Sequence, residues 1–175
     1  MSRFVLAAAL ALAATPALAL DLKSTDVTDG TPIDTKYVCE KYGGTSISPQ
    51  LSWSGVPADA KSLAIVMFDP DAGTSGHYHW LLADIPASAT GIDQGAGSKG
   101  GTIPAGATPL PNGSNHANYD GPCPPAGKPH HYQITLYALP DAKTTIAADM
   151  KAADIDAALA KAAVAQARIT PIYGQ

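Results

Sequence analysis

Charge is scarce in this chain. Asp, Glu, Lys and Arg make up 15% of its 175 residues, and the 11 basic residues never gather into a run. The formal charge is −4. A mildly acidic chain without a Lys/Arg cluster excludes nucleic acid and an anionic membrane surface as main partners, while a small anion held in a local pocket stays open. Cysteine is scarce too. Cys39 and Cys123 stand far apart, and the absence of a C-x-x-C spacing removes a redox motif. There is no G-x-S-x-G nucleophile elbow and no internal repeat. Past the first residues, no apolar run is long enough to span a bilayer as a helix.

What is present begins with a leader. Arg3 supplies a positive start, Phe4 to Ala14 an apolar run, and Ala17-Leu18-Ala19 a small-x-small cleavage site. This is the pattern of a secretory signal over residues 1–19. The mature part, residues 20–175, is about 156 residues long, the size of one domain with a substantial core. Removing Arg3 takes the formal charge from −4 to −5. Such a chain works in the periplasm or outside the cell, where two cysteines favour one structural disulfide over two free thiols. Joining Cys39 to Cys123 would close a loop of about 85 residues, worth at most about 4–5 kcal/mol on a chain-entropy argument.

The chain is organised around Ser62 to Pro86, SLAIVMFDPDAGTSGHYHWLLADIP. An apolar run, Leu63 to Phe68, stops at Asp69-Pro70-Asp71, because Pro70 cannot donate to a ladder and holds Asp69 extended. Gly73 and Gly76 let the chain reverse. His79 to Ile85 then alternates, with His79, Leu81, Ala83 and Ile85 on one face and Trp80, Leu82 and Asp84 on the other. Other predicted strands are Asp21 to Val27, Thr31 to Val38, Leu51 to Trp53 and His131 to Leu139. Ala87 to Pro129 is a long Gly/Pro/Ser/Asn-rich connection, of the kind that is functional or disordered. Asp149 to Arg168 is alanine-rich, with Ile155 and Leu159 at helical spacing, and predicts one amphipathic helix. Short strands, long loops and a terminal helix make a β-sandwich-like domain.

A second polar cluster is GPCPPAGKPHHY, Gly121 to Tyr132. On an extended chain His130 and Tyr132 share one face and His131 takes the other. DPDA followed by HW and IP, then GPCPP-x-GKPH-x-Y and LYAL, with SPQLSW upstream, resembles the phosphatidylethanolamine-binding protein family, in particular its bacterial Raf-kinase-inhibitor-like branch. The likeness runs from about Leu22 to Tyr173. It implies a mainly β fold of two antiparallel sheets in a Greek-key sandwich, with a small anion pocket at one end. It carries pocket roles onto Asp69, His79, His130 and Tyr132 and onto the turn at Cys123 and Pro124, with Gly121 and Asp71 supporting the loops.

Physically, a phosphate needs several convergent donors. His79 and His130 offer ring N–H groups, Tyr132 a hydroxyl, and the Gly121–Pro124 turn backbone N–H. Asp69 would orient one histidine and favour its charged form, and Asp71 would tie down its own loop. The chain departs from the family at His131, where arginine is common, at Gly73, where proline is common, and near Ala162, where related bacterial chains carry histidine. No cofactor and no metal is expected, nor enzymatic activity. The expected ligand is a small phosphate-bearing anion, of the phospholipid-headgroup type.

Rival readings stay open. His77, His79, His130 and Asp69, with His116 in reserve, form a nominal metal set, although on a loop His77 and His116 are more simply solvated side chains. Ser75 or Ser114 with His79 and Asp69 forms a nominal nucleophile–base–acid set. A module that inhibits a protease or other enzyme, or a homodimer, could use Trp53, Trp80 and Tyr137, residues that at strand positions more simply pack the core.

Overall fold

A computed structural model describes residues 19–147 and 149–175. The leader reading falls on residues 1–19 and so lies almost wholly outside the described residues. The central strand is β3 (Ser62–Asp69), in a five-stranded antiparallel sheet ordered β6 (Thr108–Leu110), β4 (His77–Pro86), β3, β8 (Gln133–Leu139), β9 (Ala165–Ile169). A three-stranded antiparallel sheet, β1 (Asp21–Lys23), β2 (Leu51–Ser54) and β5 (Gly91–Ile92), covers one face of it. Helix α1 (Ala152–Ala162) covers the other. A two-stranded ribbon of β7 (His130–His131) and β10 (Ile172–Tyr173) completes the sheets.

This layering explains why Leu63 to Phe68 is apolar throughout rather than alternating. Leu63, Ile65 and Met67 face Leu51, Trp53 and Ile92 of the smaller sheet, while Ala64 and Val66 face Ile155 and Leu159 of α1. A strand covered on both faces has no polar side. Each buried aliphatic side chain contributes roughly 1.5–3 kcal/mol. The helix is fixed further by Asp156, whose carboxylate accepts hydrogen bonds from Tyr137 Oη at 2.8 Å and Tyr78 Oη at 3.1 Å. Trp53, Trp80 and Tyr137 are all buried, so they pack the interior and offer no docking surface.

Several local expectations are corrected. The first strand ends at Lys23 because the Ser24 hydroxyl accepts from the amides of Asp26 and Val27 and turns the chain. Thr31 to Val38 is no strand. Pro32 makes a single bridge to Ile172, and Asp34 caps a 3-10 turn over Thr35–Tyr37 by accepting from Lys36 N at 2.9 Å. The alanine-rich tail splits at Ala163 into helix and edge strand, because residues 165–169 complete the ladder of β8 and Val164 N donates to Ala138 O.

The simple alternation of β4 also fails, at two bulges. Met67 pairs with Trp80 but Phe68 pairs with Tyr78, which leaves His79 as the extra residue. Leu63 pairs with Ile85 but Ile65 with Leu82, so Ala83 and Asp84 oppose Ala64 alone, and Asp84 takes φ 57°. Ile85 therefore joins Trp80 and Leu82 on the sandwich side, not Leu81 and Ala83. A bulge at a strand end re-aims one side chain, and here that side chain is His79.

Candidate functional site

Three segments meet at one end of the sandwich. β3 ends with Asp69, directly paired to His77 at the start of β4. The loop after β6 returns past these residues as Asn112 to Pro125, and β7 brings His130 and His131 in from the ribbon. Between them lies a cavity of about 500 Å³, lined by Asp69, His79, Asp120, Gly121, Pro124 and His130 among others.

Asp69 is buried and both of its oxygens are used. Oδ1 accepts from Asp71 N at 2.9 Å, which fixes the Asp-Pro-Asp turn. Oδ2 is 2.7 Å from His130 Nδ1. A carboxylate only accepts, so Nδ1 carries the proton and Nε2 is the remaining polar atom of the His130 ring. Outside this pair sits a second one of the same kind. Asp71 Oδ2 accepts from both the backbone N and Nδ1 of His131, each at 2.8 Å. These bonds hold the Asp71 carboxyl below its usual range. His130 and His131 thus point to opposite sides, as strand alternation requires.

His79 lies in the wall. Its Nδ1 is 2.8 Å from the backbone oxygen of Asp120, which can only accept, so Nδ1 carries a proton and a neutral ring leaves Nε2 as an acceptor. Burial pushes the His79 imidazole down to about 4, outweighing the raising effect of the Asp120 carbonyl. At neutral pH this ring is uncharged, so Asp69 acts on His130 and His79 is not a cation. Tyr132 packs edge-on to His79 at 5.3 Å and stacks with His130 at 6.4 Å between ring centroids. Its hydroxyl is fully buried with no hydrogen-bond partner. Burial, with the nearby Asp69 carboxylate, pushes this phenol well above its usual range; Asp69 itself is not in hydrogen-bonding geometry with it.

The turn from Gly121 to Pro124 is held from three sides. Cys39 and Cys123 are disulfide-bonded with a Cα–Cα distance of 5.5 Å, Cys39 N donates to Pro122 O, and the Tyr42 hydroxyl donates to Pro124 O. Gly121 is irreplaceable sterically. A Cβ there would fall 2.6 Å from Val38 C, 2.7 Å from Tyr37 O and 2.8 Å from Cys39 N, all backbone atoms.

Asp69, His79 and His130 line the cavity with Cys123, Pro124 and Gly121, whereas Tyr132 is fully buried behind the two histidine rings and does not line it. His77 and His116, which the sequence placed in solvent, also line the cavity. His116 Nδ1 pairs with Asp120 Oδ2 at 2.9 Å, and Asp120 is anchored by Asn112 Nδ2 at 2.8 Å. Asp120 and Asn112 escaped sequence reasoning. The i, i+4 spacing of His116 and Asp120 just ahead of Gly121 was the available signal. The alternative metal set does not assemble. Among the described residues no three His, Cys, Asp or Glu side chains are placed to hold an ion. Nor does the nominal triad form, since Ser114 Oγ is 3.5 Å from His77 Nε2 rather than beside His79, and Ser75 lines a different cavity.

An antiparallel β scaffold carrying a small polar pocket at one end is the architecture of a ligand-binding protein. The chain belongs to the phosphatidylethanolamine-binding protein family, whose sequence profile matches residues 23–174. The YbcL protein of Escherichia coli is 38% identical over 162 residues, covering 90% of this chain and 88% of YbcL. A putative lipoprotein of Mycobacterium tuberculosis, LppC, is 43% identical over 135 residues, or 74% of this chain and 62% of LppC. The crystal structure of YbcL, described as a new member of the mammalian family, superposes with a TM-score of 0.84 at 37% identity, over 90% of this chain and 99% of that one. A putative phosphatidylethanolamine-binding protein homologue from Chlamydia trachomatis gives a TM-score of 0.72 at 28% identity, over 90% of this chain and 98% of that one.

Proposed function

We propose that this is an exported, non-enzymatic binding protein whose pocket holds a small phosphate-bearing anion. The observation that carries the reading is the cavity wall where His79 and His130 stand with Nδ1 already committed, which leaves Nε2 of each ring for a ligand. Paired to the Asp69 carboxylate, His130 offers Nε2 as donor, and neutral His79 accepts through Nε2. A donor beside an acceptor suits a singly protonated phosphate, whose P–OH donates to His79 while another oxygen accepts from His130. Export is supported by the Arg3, Phe4–Ala14 and Ala17–Ala19 pattern and by the Cys39–Cys123 bond, which persists in oxidising compartments.

The test is calorimetric titration of inorganic phosphate and phosphoethanolamine into the wild type and His130→Ala. Loss of a charge-assisted bond weakens affinity by about 10- to 100-fold, with an unchanged circular dichroism spectrum. Equal affinity in the two proteins refutes the pocket assignment.

A further inference from the structure

Beside the anion cavity lies a second one, of about 340 Å³, and the two share the walls Ser46, His116 and Asp120. Both fall in the size range of small-molecule sites, roughly 300–1,000 Å³. From the anion cavity the His116–Asp120 pair is a wall, and from the second cavity it is the opposite wall. Ser46 stands on the shared rim with φ 51°, a left-handed conformation for a residue with a Cβ. It is held there by Ser46 N donating to Val38 O and by its own oxygens accepting from Ser98 Oγ and Gly121 N. Strained backbone kept in place by several bonds is a feature of ligand-contacting rims.

The chemistry of the second cavity is distinct. Tyr119 is the one aromatic ring among its lining residues besides His116, and no Leu, Ile, Val, Met or Phe lines it. Glu40 and Lys99 lie on its walls with side chains that take no part in the ion pairs among the described residues. A free carboxylate, a free ammonium and the amide of Asn118 offer acceptors and donors at several points, the arrangement that reads neighbouring hydroxyl groups. An acyl chain there would lie beside Glu40 and Lys99 with no aliphatic Leu, Ile, Val or Met side chain to join. Among the described residues the sole exposed large hydrophobic side chain is Val164, which lines neither cavity.

We infer that the second cavity is a subsite for a polyhydroxylated alcohol, so that the natural ligand is a phosphate ester of a sugar or similar polyol rather than a molecule held by a lipid tail. This rests on the anion-pocket reading: the phosphate sits with His79 and His130, and the hydroxyls reach past Asp120 to Glu40 and Lys99.

The experiment is calorimetric titration of three probes: inorganic phosphate, glucose 6-phosphate and hexyl phosphate. Glucose 6-phosphate is expected to bind about tenfold more tightly than hexyl phosphate, the gain of one or two charge-assisted hydrogen bonds. The double variant Glu40→Ala/Lys99→Ala, at two exposed positions, should bring the sugar phosphate to within about twofold of inorganic phosphate and leave phosphate itself unchanged. Hexyl phosphate binding as tightly as the sugar phosphate, or a sugar preference that survives the double variant, overturns the subsite and leaves the anion pocket standing. Failure of all three probes to bind the wild type overturns both.

Discussion

His79 makes the stability of this protein depend on pH in a defined window. Its imidazole is held down to about 4 in the folded chain, chiefly by burial, against an ordinary value near 6.5 once unfolded. Between these values the unfolded chain binds a proton that the folded chain refuses, so stability falls as pH falls through the window. The contribution is complete above about 6.5 and exhausted below about 4, and its full size is about 3 kcal/mol. The matching variant is His79→Asn, whose side-chain amide can donate to Asp120 O as Nδ1 does but does not titrate. Urea unfolding of both proteins, disulfide intact, at half-unit steps from pH 7 to pH 4 isolates the term, because other titrating groups cancel in the difference. The wild type should lose about 3 kcal/mol more than the variant across the range. Parallel curves, or an NMR titration of His79 centred near 6.5, would refute the argument.

Other outcomes follow from the same geometry. Reducing the Cys39–Cys123 bond, which spans 84 positions, should lower unfolding free energy by about 2–5 kcal/mol, read as a lower urea midpoint in dithiothreitol. Asp69→Asn should weaken phosphate binding about tenfold by removing the charge that backs His130, whereas Asp71→Asn, at an exposed pair, should change it less than threefold; equal effects would mean that both carboxylates act alike. Gly121→Ala should cost about 1–3 kcal/mol or more, because backbone atoms of Tyr37, Val38 and Cys39 must move; a neutral result in thermal melts would show that the turn yields.

The strand stop at Asp69-Pro70, the pairing of two cysteines and the opposed directions of His130 and His131 were all legible in the sequence, because each follows from local rules of proline, compartment and strand alternation. The bulges at His79 and Asp84 were not. A period-2 pattern carries no mark of an inserted residue unless a glycine or partner strand reveals it. The end of α1 was hidden for a related reason. Alanine favours helix wherever it stands, and only the free ladder of β8 decides that Ala165 to Ile169 extends instead. His77 opens β4 rather than lying in a loop, and His116, solvated as expected, also lines the cavity because its loop is fixed by Asn112, whose side chain reaches both Asp120 and the backbone oxygen of His79. Such a distant clasp leaves no periodic trace.

The ribbon that presents His130 has a consequence for the order of synthesis. β7 pairs with Ile172 and Tyr173, some forty positions later, and Tyr132 N donates to Pro171 O. The growing chain can lay down β3 and β4 long before these residues exist, since domains form as their segments emerge. The histidine pair gains its sheet partner only when that late strand has been added. A nascent or truncated chain ending before residue 171 would therefore lack the sheet partner of His130 and the acceptor of Tyr132 N.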